Sequence, residues 1–85
     1  MKLEAMLDKL GEMLEPEASK KKHYRKKLKE LLKDLRKKEK KLQAKLEATE
    51  DEHKRKRLSK ELEIVHSQRK KGIKALEAFI EENAD

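Results

Sequence analysis

Apolar residues recur at three- and four-residue steps in three stretches of the chain, which is the spacing of helices with one apolar face. In the first stretch they are Leu3, Met6, Leu7, Leu10, Met13 and Leu14. In the second they are Tyr24, Leu28, Leu31, Leu32, Leu35, Leu42 and Leu46. In the third they are Leu58, Leu62, Val65, Ile73, Leu76 and Ile80, with Phe79 beside this stripe. This pattern predicts an all-α fold built from three amphipathic helices.

Gly11 and Pro16 separate the first stretch from the second. Glycine commonly follows the last residue of a helix, and proline is favoured at the first position of the next one. We therefore predict a short helix at about 2–10, a loop at about 11–15 and a second helix at about 16–48. The alternative is one longer helix that is kinked at Pro16, because an interior proline removes a backbone hydrogen bond.

The second and third stretches are joined without glycine or proline, so a single continuous helix must be weighed. At about 100° per residue, the apolar residues from Tyr24 to Leu46 cluster at about 220–320° on a helical wheel. Those from Leu58 to Ile80 cluster at about 20–100°, so a straight helix would carry the two faces on nearly opposite sides. A reversal near residue 50 brings the faces together, and it places the third helix at about 50–82.

The residues Thr49-Glu50-Asp51-Glu52 support a helix start at this reversal, because they match the capping box. In that motif the first side chain accepts a hydrogen bond from the amide of the fourth residue, whose carboxylate reaches back to the first amide. We therefore predict that Thr49 is the N-cap of the third helix and that Glu52 completes the box.

The predicted architecture is a long antiparallel two-helix coiled-coil hairpin that belongs to a single helical domain, residues 1–85. The short N-terminal helix packs at the open end, which becomes a three-helix bundle, and Gly72 allows the backbones to approach closely there. Arg69 is expected opposite Leu31, with its charged head in solvent. The expected cross-hairpin pairs are Leu42 with Leu58, Leu35 with Val65, Leu28 with Gly72, and Tyr24 with Leu76.

Composition narrows the classes of function. The chain has 85 residues, of which 51% are charged, and it contains no cysteine, so disulfides and thiolate metal sites are excluded. His23, His53 and His66 are expected to lie apart and to face solvent, with Asp34 a candidate partner of His66. No activated nucleophile or glycine-rich phosphate loop is evident, so we expect no catalytic, cofactor or metal site and no small-molecule substrate. No stretch is apolar for long enough to span a bilayer, so we expect a cytoplasmic protein without a membrane partner.

Charge is distributed unevenly along the chain, whose net charge is +7. Residues 1–17 carry −3 and residues 75–85 carry −4, so residues 18–74 carry +14. Such a concentration of positive charge is typical of surfaces that bind polyanions, although a thin rod also needs charge for solubility. The candidate polyanion-binding residues are Lys22, Lys26, Lys29, Lys33, Arg36, Lys37, Lys40, Arg55, Arg57, Lys70, Lys71 and Lys74.

These features predict a non-enzymatic interaction protein, such as a small adaptor, regulator or assembly factor, that presents a basic rod to a macromolecular partner. The alternative is a nucleic-acid-binding protein that contacts phosphates without reading sequence, because lysines outnumber arginines 20 to 5 and aromatic residues are scarce. The first apolar stretch, Leu3 to Leu14, is either part of the core or a stripe for a partner helix. In the second case a protein partner or self-association would cover it.

Overall fold

The computed structural model describes residues 2–83, and every regular element in that range is helical. Helix α1 spans Leu3–Met13, a 3₁₀ helix spans Pro16–Lys20, α2 spans Tyr24–Ala48 and α3 spans Glu52–Glu82. The predicted all-α fold is confirmed. The domain was predicted over residues 1–85, and residues 1, 84 and 85 lie outside the described part of the chain.

The predicted reversal near residue 50 is also confirmed, because α2 and α3 pack against each other along the hairpin. The described chain measures 51 × 21 × 17 Å along its principal axes. One continuous helix over residues 24–82 would be about 88 Å long at 1.5 Å per residue, so the chain must fold back on itself. Across residues 2–83, no helix combines the length and the apolar character that crossing a bilayer requires.

The turn between α2 and α3 is capped differently from the prediction. Asp51, rather than Thr49, is the N-cap of α3, and its carboxylate accepts hydrogen bonds from the amides of His53 at 2.9 Å and Lys54 at 3.4 Å. The Thr49 hydroxyl instead donates to the Lys45 carbonyl at 2.6 Å, at the end of α2. A capping box at Thr49 would require α3 to start two residues earlier, and Thr49 is already used to end α2.

Arg55 closes the same turn from the first part of α3. Its guanidinium donates to the carbonyl oxygens of Leu46 at 3.0 Å and Thr49 at 2.9 Å. The last carbonyls of a helix lack partners within the helix, and a guanidinium has enough donors to serve several of them. This contact helps to hold the turn of three residues between α2 and α3. The turn needs no glycine, because none of its residues has a positive φ.

The connection between α1 and α2 also departs from the prediction. Gly11 lies inside α1, and Pro16 begins the separate 3₁₀ helix rather than α2. The chain then passes through His23, whose φ of 61° is left-handed, and α2 begins only at Tyr24. The predicted start of this helix near residue 16 was therefore wrong. Helix α1 continues to Met13, and the chain changes direction between Met13 and Tyr24, so α2 begins only after this reversal.

The core runs along the seam of the hairpin, and its fully buried side chains are Leu10, Leu28, Leu35 and Val65. The predicted register is shifted by about one turn of helix. A β-carbon at Gly72 would lie 2.5 Å from Leu32 Cδ2 and 3.0 Å from Leu10 Cδ1, so Leu32 rather than Leu28 meets this glycine.

The open end of the hairpin shows the same shift. Tyr24 packs on Phe79, with ring centroids 4.9 Å apart, where Leu76 was expected. Burial raises the pKa of the Tyr24 phenol above its ordinary value of 10.0.

Helix α1 packs against both arms of the hairpin, as predicted for a short N-terminal helix, and it covers one side of them. Met6 and Leu10 are buried, and the other four members of the first apolar stretch pack partly buried against the core. The stripe Leu3–Leu14 is therefore used within the chain, and the kinked helix with an overhanging stripe is excluded.

Candidate polyanion-binding surface

All twelve candidate basic residues are exposed. Ion pairs within residues 2–83 involve Lys20 with Glu17, and Glu39 with both His66 and Arg69, so none of the twelve forms one there. Arg55 differs from the rest, because its guanidinium is already hydrogen-bonded to the turn carbonyls. The other eleven side chains keep their charges available to a partner.

Four of these residues form a row along the outer face of α2, which we call the α2 ridge. The row consists of Lys26, Lys33, Lys37 and Lys40. At about 100° per residue, each lies within about 40° of the direction opposite the buried face of α2. The row is about 21 Å long, since fourteen residues rise by about 1.5 Å each. Lys29 and Arg36 flank the row on one side, and the exposed Glu30 lies within the same sector, between Lys26 and Lys33.

The structure does not bring all twelve residues onto one surface. Lys70 and Lys74 lie on the outer face of α3, away from the buried Val65 and Gly72. Because the buried faces of α2 and α3 point toward each other, their outer faces point to opposite sides of the rod. Arg57 lies near α1 instead, in a groove that it shares with Leu3. The α2 ridge is therefore the longest basic row, and the α3 lysines form a separate, shorter group.

The exposed face of α1 is acidic. Glu4, Asp8 and Glu12 are exposed on the side of α1 opposite Met6 and Leu10. The fold therefore separates charge across the rod as well as along the sequence. A polyanion would be attracted to the α2 ridge and repelled by the outer face of α1.

A cluster of Glu39, His66 and Arg69 joins the two arms near the middle of the hairpin. One Glu39 oxygen is 2.5 Å from His66 Nδ1, and the other accepts a hydrogen bond from Arg69 Nε at 2.6 Å. The side chains of Glu39 and Arg69 are only 16% and 17% exposed. The partner suggested for His66 from the sequence, Asp34, was wrong, as was the solvent-facing position expected for Arg69.

The pKa of Glu39 reflects two opposing effects. Burial alone would raise it, but hydrogen bonds from Arg69 and His66 and the positive charge of these residues hold it below its ordinary value of 4.5. Glu39 is therefore an ionised group that links α2 to α3.

A heptad pattern in the sequence could have revealed this cluster. On α2, Leu32, Glu39 and Leu46 are seven residues apart, and on α3 so are Leu62, Arg69 and Leu76. In each helix the middle member replaces an apolar residue by a charged one, and the two charges are opposite. Such a complementary break in two apolar seams indicates a cross-helix ion pair.

The cluster borders an open groove of about 540 Å³ between α2 and α3, which Ser59 also lines. A serine, a histidine and a carboxylate in one groove raise the question of nucleophilic catalysis. Ser59 precedes His66 by seven residues, which is about 10.5 Å along α3, so the two side chains are too far apart for the hydrogen bond that activation requires. Across residues 2–83 there is also no group of three or more ligating side chains that could hold a metal ion.

Comparison of the chain with protein-family models, with curated proteins and with solved structures finds no match.

Proposed function

We propose that this protein is a non-enzymatic helical interaction module, such as a small adaptor, regulator or assembly factor, that presents a basic rod to an acidic macromolecular partner. The observation that carries this proposal is the α2 ridge. Its four lysines are exposed in one row and take part in no ion pair within residues 2–83.

A row of lysines that form no ion pair within residues 2–83 has a direct physical consequence. Like charges on neighbouring turns of a helix repel one another, and an i,i+4 pair such as Lys33 and Lys37 costs about 0.2–0.5 kcal/mol. An anionic partner removes this repulsion and adds its own attraction, while the core leucines on the opposite face are unaffected. The positive field around residues 18–74 also speeds the encounter with such a partner.

The experiment compares two variants with the same change in net charge. The ridge variant replaces Lys26, Lys33, Lys37 and Lys40 by Gln, and the control variant replaces Lys2, Lys9, Lys20 and Lys21 by Gln. All eight lysines are exposed, so both variants should keep the helical circular dichroism of the wild type. The measurement is the salt concentration at which each protein elutes from immobilised heparin, which serves as a general polyanion.

We expect the ridge variant to elute at clearly lower salt than the control variant, although both carry four fewer positive charges than the wild type. Elution of the two variants at the same salt would show that only net charge matters, and the ridge would then not be the binding surface. Failure of the wild type to bind heparin at about 50 mM salt would contradict the proposal altogether, because electrostatic binding is strongest at low salt.

A further inference from the structure

Building on the proposed function, we infer that the partner of the α2 ridge is the phosphate backbone of a nucleic acid, bound without regard to sequence. The alternative partner for a basic row is an acidic protein surface. Three features of the structure distinguish between the two.

The first feature is the absence of an apolar anchor on the ridge. Protein interfaces depend on a few large apolar or aromatic side chains at their centre. The large apolar residues of α2 from Tyr24 to Leu42 are buried in the core. Within the described residues, the large apolar side chains that are exposed are Ile64 at 54% and Ile80 at 39%, and both belong to α3. A protein partner would therefore find charged side chains and no apolar anchor on the ridge, whereas ammonium groups alone are sufficient to bind phosphates.

The second feature is the spacing of the charges. Lys33, Lys37 and Lys40 follow one another at about 6 and 4.5 Å along the helix axis, and Lys26 lies about 10.5 Å before Lys33. One strand of a duplex presents a phosphate about every 3.4 Å along its axis. A straight row of about 21 Å therefore spans the axial rise of about six phosphates of one strand. Because both strands wind around the duplex axis, the flexible lysine side chains reach sideways to four phosphates that belong to either strand.

The third feature is the lack of groups that read bases. Stacking on bases needs exposed aromatic rings, but Tyr24 and Phe79 pack on each other. Gln43, the amide side chain on α2, donates to Glu47 at 3.3 Å. Lysine acts as a point charge on phosphate and lacks the planar fork with which arginine recognises guanine. The ridge therefore matches the backbone of a nucleic acid and not its sequence.

The test measures binding of the full-length protein to two fluorescent probes by anisotropy. One probe is a 20-base-pair DNA duplex, prepared in two unrelated sequences, and the other is poly-glutamate of similar total charge. Each probe is titrated with wild type, the ridge variant and the control variant at salt concentrations from about 50 to 200 mM. An additional variant, in which Glu4, Asp8 and Glu12 are replaced by Gln, tests the acidic face of α1.

Each phosphate contact should contribute about −0.9 to the slope of log K against log salt concentration. With the four ridge lysines and flanking Lys29 and Arg36, we expect a wild-type slope of about −4 to −5. The ridge variant should flatten it to about −1 to −2, and the control variant should stay within about one unit of wild type. The two duplex sequences should bind within about twofold of each other. The α1 variant should bind the duplex more tightly, with its slope unchanged.

Several results would overturn the inference. Tighter binding of poly-glutamate than of the duplex would assign the ridge to an acidic protein, while the proposed function would stand. Equal slopes for the ridge and control variants would show that the nucleic acid binds elsewhere. A more than tenfold preference for one duplex would contradict backbone recognition. Binding of heparin through the ridge without any binding of the duplex would reject the partner class alone, whereas loss of both would reject the proposed function as well.

Discussion

The two halves of the hairpin are stabilised by different means. Toward the open end, α1 covers α2 and α3 and forms a three-helix half. The buried side chains of the core lie in this half, and the last of them toward the turn on α2 is Leu42. Toward the turn lie residues 43–56, which we call the tip, and none of them is buried. The tip instead relies on local hydrogen bonds, from the Asp51 cap and from the contacts of Arg55 and Thr49 with backbone carbonyls.

This difference shows how a chain with 51% charged residues can fold at all. Burial of apolar surface contributes about 25 cal/mol per Å², so two thin helices gain little until a third covers their shared groove. In the tip, where no side chain is buried, local hydrogen bonds hold the ends of α2 and α3 together. Stability should therefore be uneven, with the tip opening more readily than the three-helix half.

The greatest loss of folding stability is expected when a leucine of the three-helix half is replaced, and a leucine of the tip serves for comparison. Leu28 is fully buried in the three-helix half, so Leu28→Ala should destabilise the fold by about 2–5 kcal/mol through lost burial and the cavity left behind. Leu46 lies in the tip and is only partly buried, so Leu46→Ala should cost about 1–2 kcal/mol. Urea denaturation followed by circular dichroism measures both. Equal losses would show that the core is uniform along the rod, and the contrast between the halves would be lost.

The next effect concerns the Glu39 cluster, which joins the arms near the boundary between the two halves. Glu39→Gln leaves Arg69 without its carboxylate in a site that is largely buried, so the variant should lose about 1–3 kcal/mol of stability. The matched control is Glu63→Gln, an exposed carboxylate in the same groove, which should change stability by less than about 0.5 kcal/mol.

The lowered pKa of Glu39 also predicts that the stability of the fold depends on pH. The pKa of Glu39 is lower in the folded protein than its ordinary value of 4.5, so the ionised carboxylate favours the folded state. Its contribution is complete above pH 4.5 and is lost as the pH falls through the lowered pKa. Urea denaturation of wild type should therefore show a loss of stability below pH 4.5 that is smaller in Glu39→Gln. The same loss in both proteins would mean that Glu39 is not the group responsible.

The last comparison uses the two glycines as a matched pair. Gly11 lies inside α1, and a β-carbon there would have no neighbour within 4 Å, so Gly11→Ala should stabilise the fold by about 0.5–1 kcal/mol. At Gly72 a β-carbon would meet Leu32 and Leu10 where the three helices come together. Overpacking typically costs about 1–3 kcal/mol, so Gly72→Ala should be less stable than Gly11→Ala by about that amount. Thermal denaturation would show it, and equal stabilisation by both would mean that α1 packs loosely.

Periodicity along the chain was enough to predict the helices, the reversal near residue 50 and the segregation of charge. These features depend on periodicity over neighbouring turns, which can be counted along the chain without knowing the partner helix. The phase difference between Leu46 and Leu58 was sufficient to distinguish a hairpin from a rod. The positions of Lys26, Lys33, Lys37 and Lys40 followed from the same count, since the face opposite the leucines must point to solvent.

The register, the caps and the role of the first helix depend on how the helices pack, which could not be counted along the chain. Glu39 and Arg69 are separated by thirty residues, so their pairing depends on how far one helix is shifted along the other. A reversal centred on residue 50 predicts Leu28 opposite Gly72, whereas Leu32 lies there, and Tyr24 at the open end is shifted by about the same amount. The choice of Asp51 over Thr49 as the N-cap depends on the path of three turn residues, because both side chains can cap a helix. Met6 and Leu10 are buried because α1 lies in the groove between α2 and α3. The apolar stripe alone could not show this, since the same stripe could equally pack on a partner protein.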